Sequence, residues 1–260
     1  MDFIDQMGNT IRLSAYPHRI ISLVPSQTEL LFDLGLDEQI VGLTSYCILP
    51  QEKVAHLIKV GSPKEFRFQV IDELRPDLII GSKEENYPEG IHRLQEKYPV
   101  WMSDIVTVED ALEMIGIVGQ LVNRREIAEK LIDEIKTALE RLRGYPPLKA
   151  AYLIWKNPYM AAGGQTFINE MLTSCGFINI FEEKRRYPHI SLDELEQADV
   201  ILLSSEPYPF TPDDVEVFRK RYAAHCIRSV DGKMFSWYGS RLKYAPAYFN
   251  SLREALRADS

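Results

Sequence analysis

Short, continuously apolar runs alternate along this chain with segments of helical periodicity, and that alternation constrains the fold more than any other feature. The runs are Arg19-Ile-Ile-Ser-Leu-Val24, Ile40-Val-Gly-Leu-Thr44, Asp77-Leu-Ile-Ile80, Pro99-Val-Trp-Met102, Ala150–Trp155 and Val200–Leu203. They are too short for buried helices and apolar on successive positions, the pattern of strands covered on both faces. Strands of that kind belong to parallel sheets, because the crossover helices that return the chain lie on the faces. An α/β fold is predicted.

Local signals bound the helices. Pro25 and Ser26-Gln-Thr-Glu29 precede Leu30-Leu-Phe32, a capping box in which Ser26 and Glu29 would satisfy each other's end of the first turn, and Gly35 supplies the stop. A further helix is expected near Gln69–Leu74, and others over Phe167–Cys175, from the Ser191-Leu-Asp-Glu194 capping box, from Thr211 and after Tyr244. Between residues 107 and 143 apolar positions recur at helical spacing, first Leu112, Ile115, Val118 and Leu121, then Ile127, Leu131, Ile135 and Leu139. Asn123-Arg-Arg-Glu126 reads as a fresh N-cap, so a second helix of about 20 residues, ~30 Å long, is expected to start there and end before Gly144, Pro146 and Pro147.

The halves on either side share a phrase. Ile71-Asp-Glu-Leu-Arg-Pro-Asp77-Leu-Ile-Ile-Gly-Ser82 matches Leu192-Asp-Glu-Leu-Glu-Gln-Ala-Asp199-Val-Ile-Leu-Leu-Ser204 with one residue inserted. The expectation is two related, Rossmann-like α/β lobes, residues 1–122 and 145–260, bridged by a long backbone α-helix at residues 123–144. Ligands of open α/β sheets sit beyond the carboxyl ends of strands, which points to an inter-lobe cleft. A helical bridge resists hinging, so little closure is expected.

Charge excludes some partners. At a net −8 the chain is a poor match for nucleic acid or an anionic membrane, which need clustered Lys and Arg. No apolar run approaches the roughly 20 residues of a membrane span. Cys47, Cys175 and Cys226 lie far apart with no C-x-x-C spacing, so free thiols are expected. The opening Met1-Asp-Phe-Ile-Asp-Gln6 carries no secretory signal pattern, which leaves a cytoplasmic location open.

Catalytic signatures are absent: the chain holds no G-x-S-x-G, Walker loop, H-E-x-x-H or G-x-G-x-x-G. Gly163-Gly164 before a helix reads as a tight turn first and an anion nest second. The histidines His18, His56, His92, His189 and His225 are scattered, and only His189, in the loop Arg185-Arg-Tyr-Pro-His189, stands where a loop can reach a bound chelate. Loop aromatics carry the stronger signal. Tyr46, Trp155, Tyr159, Tyr187, Trp237 and Tyr238 all fall at expected strand ends, and aromatic rings there cover about 150–250 Å² each of a flat ligand. Arg241 adds a guanidinium beside them.

Five phrases, in order, resemble one family. Arg19-Ile-Ile-Ser-Leu-Val-Pro-Ser-Gln-Thr-Glu-Leu-Leu-Phe-Asp-Leu-Gly-Leu36, Ile40-Val-Gly-Leu-Thr-Ser-Tyr46 with Pro50, Lys59-Val-Gly61, Leu74-Arg-Pro-Asp-Leu-Ile-Ile80 and Gly176-Phe-Ile-Asn-Ile-Phe181 are similar to the periplasmic cobalamin-binding and helical-backbone metal-chelate receptors. The resemblance implies a class III substrate-binding protein, monomeric, extracytoplasmic and served by an ABC importer permease and its ATPase. Its ligand would be cobalamin or a related corrinoid, with haem or a ferric siderophore as alternatives and no required cofactor. It places Tyr46, Tyr187, Trp237 and the segment from Trp155 to Gly163 at the ligand. Docking to the permease would fall to a carboxylate on each lobe, Asp72 or Glu73 on the first and Glu206 or Asp213 on the second; Gln69 and Ser62-Pro-Lys64 depart from the family pattern. The rival reading is an intracellular enzyme or chaperone handling a corrinoid or tetrapyrrole, with Arg185, Arg186 and Arg241 holding acidic groups. A receptor for bare metal ions is disfavoured by the scattered histidines.

Overall fold

A computed structural model of the chain describes residues 1–258. It contains two compact units. The N-terminal unit comprises Met1–Ile105, Glu109–Ile135 and Tyr238–Arg241; the C-terminal unit comprises Val106–Val108, Lys136–Trp237 and the chain from Leu242 on.

Each unit is built on a five-stranded sheet. In the N-terminal unit the spatial order is Ile58–Lys59, Ile40–Leu43, Ile20–Ser22, Leu78–Ser82 and Val100–Ser103, and every neighbouring pair is parallel. In the C-terminal unit Leu148–Trp155 pairs in parallel with Phe177–Asn179 and with Val200–Ser204, and the latter with Cys226–Val230. The two-residue strand Met160–Ala161 folds back antiparallel on the end of Leu148–Trp155. The mainly parallel α/β class expected from the alternation is what forms. Its central strands are fully buried, as their uninterrupted apolar runs require: Ile20, Ile21, Ile79, Ile80, Ala151, Leu153, Ile201 and Leu203 have no exposed surface.

The repeated phrase has a common physical meaning. Asp77 accepts the backbone amides of His18 and Arg19, both at 2.8 Å, while its own amide donates to the Arg19 carbonyl at 3.0 Å. Asp199 does the same in the other unit: its carboxylate accepts the Lys149 amide at 2.7 Å and its amide donates to the Lys149 carbonyl at 2.8 Å. In both units, therefore, the aspartate that opens the second central strand grips the start of the first. A carboxylate there sets the parallel register by satisfying amides that precede the ladder.

Three local expectations are corrected. Pro25 is the first residue of the helix Pro25–Asp33 and Val24 its N-cap without a side-chain bond, so no Ser26–Glu29 capping box forms. Glu29 is drawn instead to Arg241. Asn123 is not an N-cap. It sits at φ 56 after the helix Val108–Leu121, its amide bonded to the Gln120 carbonyl at 3.2 Å, the left-handed turn that asparagine tolerates. The following helix is Arg125–Leu139, shorter than predicted at 15 residues, or ~22 Å. It ends early because Asn250 captures the chain beyond it, accepting from the Arg143 amide at 3.0 Å and donating to the Arg141 carbonyl at 2.9 Å. Within this helix Ile135 belongs to the N-terminal unit and Lys136 to the C-terminal unit.

Elsewhere the caps are where the sequence puts them. Thr211 accepts from the Asp214 amide at 3.3 Å while Asp214 accepts from the Thr211 amide at 2.8 Å, and Glu194 accepts from the Ser191 amide at 2.9 Å. Among the described residues no helix is long and apolar enough to cross a membrane.

Candidate functional site

Parallel strands bring their carboxyl ends to one edge, so each unit has a single edge at which loops and helix starts gather. In the N-terminal unit that edge is hydroxylated. Ser22, Thr44, Ser82 and Ser103 close four strands and are all buried. The Thr28 hydroxyl, in the first turn of Pro25–Asp33, lies 2.7 Å from Ser22 Oγ and 3.0 Å from Cys47 Sγ, and Gln27 donates to Ser103 at 2.6 Å. Burial pushes the Cys47 thiol up from its ordinary value. Beside this network Tyr46 stands out at 61% exposure, its loop held by the Ser45 amide on the Gly61 carbonyl at 2.8 Å.

Tyr238 and Arg241, both expected at a ligand, take partners inside the N-terminal unit. The Tyr238 ring is buried and its hydroxyl donates to Glu85 at 3.2 Å; burial, reinforced by the Glu85 charge, pushes the phenol well up. Arg241 forks onto Glu29, Nε on Oε2 at 2.9 Å and Nη2 on Oε1, with both side chains largely buried.

The carboxyl edge of the C-terminal unit carries the remaining aromatics. Trp155 ends its strand 40% exposed and meets the Tyr208 ring edge-on, centroids 5.8 Å apart. Tyr208 is in turn backed by Phe210 at 4.9 Å and Phe210 by Phe218 at 6.4 Å, so the exposed indole rests on a column of rings rooted in the core. Tyr159 leans into that core, 5.7 Å from Phe218. Tyr208 was missed in the sequence although Ser205-Glu-Pro-Tyr208-Pro-Phe carries the same signal as Trp155, a loop aromatic directly after a buried strand.

Tyr187 and His189 lie on a segment laid against Met160–Ala161 and the glycine pair. The Ala161 amide donates to the Pro188 carbonyl at 3.2 Å, Gly163 to Arg186 at 2.8 Å and Gly164 to Lys184 at 2.7 Å. The glycine amides are thus consumed by backbone and make no anion nest. A Cβ at Gly163 would lie 2.2 Å from the Lys184 carbonyl and one at Gly164 2.1 Å from that of Glu182, which is why neither position accepts a side chain. Tyr187 is half-buried and His189 exposed. Among the described residues no cluster of three or more His, Cys, Asp or Glu side chains is arranged to hold a metal ion.

Trp237 is 6% exposed, and its indole N–H donates to Glu206 Oε1 at 2.9 Å. Glu206, a candidate docking carboxylate, is consequently turned inward. Of the other three, Asp72 is exposed but bonded by Lys97 at 2.7 Å and by Tyr98, contacts that hold its carboxyl below the ordinary range; Glu73 accepts from Gln69 at 3.2 Å; and Asp213 is exposed in the first turn of Pro212–Arg221.

Two parallel-sheet units, each with polar and aromatic groups gathered at the carboxyl edge, define an α/β ligand-binding protein. The chain matches the periplasmic binding protein family over residues 20–225 and belongs to that family. It is 26% identical to the vitamin B12-binding protein of Vibrio campbellii over 194 residues, 72% of this chain and 70% of that one. It is 25% identical to that of Pectobacterium carotovorum over 256 residues, 95% and 92% of the two chains. In fold it is similar to the periplasmic vitamin B12-binding protein of Vibrio cholerae, with a TM-score of 0.80 at 20% identity over 93% of this chain and 98% of that one. The periplasmic haem-binding protein HutB of the same species gives 0.76 at 23% identity over 92% and 98%.

Proposed function

We propose that this chain is a substrate-binding protein that holds a metal chelate and releases it unchanged to an ABC importer, with cobalamin or a related corrinoid as its ligand. The observation that carries the reading is the match to vitamin B12-binding proteins along almost the whole chain, 95% of it for the Pectobacterium protein. The aromatics at the two edges, exposed or half-buried, agree with it. Tyr46 on one carboxyl edge, and Trp155 with its Tyr208 backing and Tyr187 on the other, present flat apolar faces with polar rims, suited to a large conjugated ring system. Of the four candidate docking carboxylates, Asp72, Glu73 and Asp213 are exposed and available to a permease.

A haem or a ferric siderophore is the second reading, favoured by similarity in fold to haem-binding proteins and to a possible iron-binding protein of Staphylococcus epidermidis. Turnover would need a positioned acid, base or nucleophile, and the side chains that favour a flat ligand here, Tyr46, Trp155, Tyr187 and Tyr208, are aromatic rings. The test is a titration of the purified protein with cyanocobalamin, haemin and a ferric siderophore, followed by absorbance, then recovery of the ligand by chromatography. Saturable binding of cyanocobalamin with intact ligand recovered is expected. Binding of haemin or the siderophore alone moves the assignment to that ligand, and altered ligand over many turnovers replaces the binder by an enzyme.

A further inference from the structure

The carboxylate of Glu206 is placed where a merely stabilising residue would not be. It follows the strand Val200–Ser204 at the carboxyl edge of the C-terminal unit and is largely shielded from solvent. Its oxygen Oε1 takes two donors from one short stretch, the Ser236 hydroxyl at 2.7 Å and the Trp237 indole N–H at 2.9 Å. Its stem lies against the backbone of Gly232, where a Cβ would come within 2.5 Å of the Glu206 Cγ. The start of the same stretch is tied to the strand end, since the Gly232 amide donates to Ser205 Oγ at 3.0 Å. The helical turn Lys233–Ser236 is therefore fastened at its beginning by Ser205 and at its end by Glu206, with Trp237 as the last point held.

We propose that Glu206 is a positioning residue that fixes the indole of Trp237 at the ligand-binding edge through its carboxyl group. This deepens, and rests on, the reading of the chain as a chelate-binding protein. The groups that face the carboxylate are Ser236, Lys233, Trp237 and Asp231 from the turn, and Tyr152 from the strand Leu148–Trp155. Burial raises the carboxyl above the ordinary glutamate value; the Ser236 bond, the Lys233 charge and the Trp237 bond oppose the rise without cancelling it, and Asp231 adds to it.

The sign of that shift separates positioning from bracing. A carboxyl raised on folding contributes stability that is complete below the ordinary glutamate range and is lost as pH rises through the raised value. Ionising this carboxyl in the folded protein therefore comes at a cost to stability. What the ionised form supplies in return is a charge-assisted acceptor, about twice as strong as a neutral one, shared by the Ser236 hydroxyl and the Trp237 indole.

The experiment compares wild type with Glu206→Gln and Trp237→Phe by tryptophan emission against pH, thermal melting at neutral pH and titration with cyanocobalamin. Trp101, Trp155 and Trp237 are the chain's tryptophans. Wild-type emission is expected to change with a midpoint above the ordinary glutamate range, and this transition to vanish in both variants. Glu206→Gln should melt at or above the wild-type temperature and bind cyanocobalamin about tenfold more weakly, the difference between a charge-assisted and a neutral bond. An emission transition that persists in Glu206→Gln, a lowered melting temperature in that variant, or an affinity equal to that of wild type overturns the proposal. If the wild type binds none of cyanocobalamin, haemin or a ferric siderophore, the functional reading fails, while the emission and melting arms still decide whether Glu206 holds Trp237.

Discussion

Replacing Arg241 by alanine separates two roles that the sequence left open for it, a ligand contact and an internal anchor. In the structure the guanidinium and the Glu29 carboxylate form a fork of two hydrogen bonds, and the side chains are only 15% and 13% exposed. Arg241→Ala leaves the Glu29 carboxylate shielded from water and without its cation. Removing one partner of a buried pair costs about 3–5 kcal/mol, and the residual exposure here favours the lower end. At roughly 2–4 °C per kcal/mol for a chain of this size, melting should fall by about 6–12 °C. The double variant Glu29→Leu/Arg241→Met removes both charges at similar volume and should recover most of that loss, since an apolar pair of matching size is often neutral or better. The assay is thermal melting of the single and double variants, with a cyanocobalamin titration on each at a temperature where all remain folded. An Arg241→Ala protein that melts like wild type but binds the ligand poorly would refute the anchor and restore Arg241 to the ligand.

Two further outcomes follow from local geometry. Gly164→Ala should lower the melting temperature markedly, because the new Cβ would have to displace the Glu182 carbonyl from 2.1 Å, while Gly144→Ala, where nothing lies within 4 Å, should change it little; equal melting would refute the close-approach argument. Lys184 and the Ser191 amide hold the Glu194 carboxyl below the ordinary range, so its contribution is complete above that range and is lost as pH falls through the lowered value; acid unfolding of Glu194→Gln should be less steep than that of wild type, and identical profiles would show that the pair adds nothing.

What the sequence determined is local. The parallel α/β class follows from apolar runs covered on both faces. Thr211 and Ser191 begin helical turns because each has an acidic partner three residues on, and Gly35, at φ 75, ends one because it tolerates the left-handed turn. The paired phrase was legible as well, and its aspartates brace equivalent strands in both units. Each of these features is set by groups within a turn of one another, or by a pattern repeated along the strands. Tertiary structure decided which competing partner each polar group took. Glu29 was positioned to cap its own helix, yet it pairs with Arg241, 212 residues away, because Pro25 already opens the helix and a buried guanidinium offers a stronger bond than an amide. Glu206 looked like a surface carboxylate until Trp237, 31 residues on, was folded against it, and Tyr238 looked like a ligand-facing ring until the Tyr238–Arg241 segment took its place in the N-terminal unit. No periodicity records such choices, since they depend on which distant groups the sheet edges bring within hydrogen-bond reach once water has been excluded.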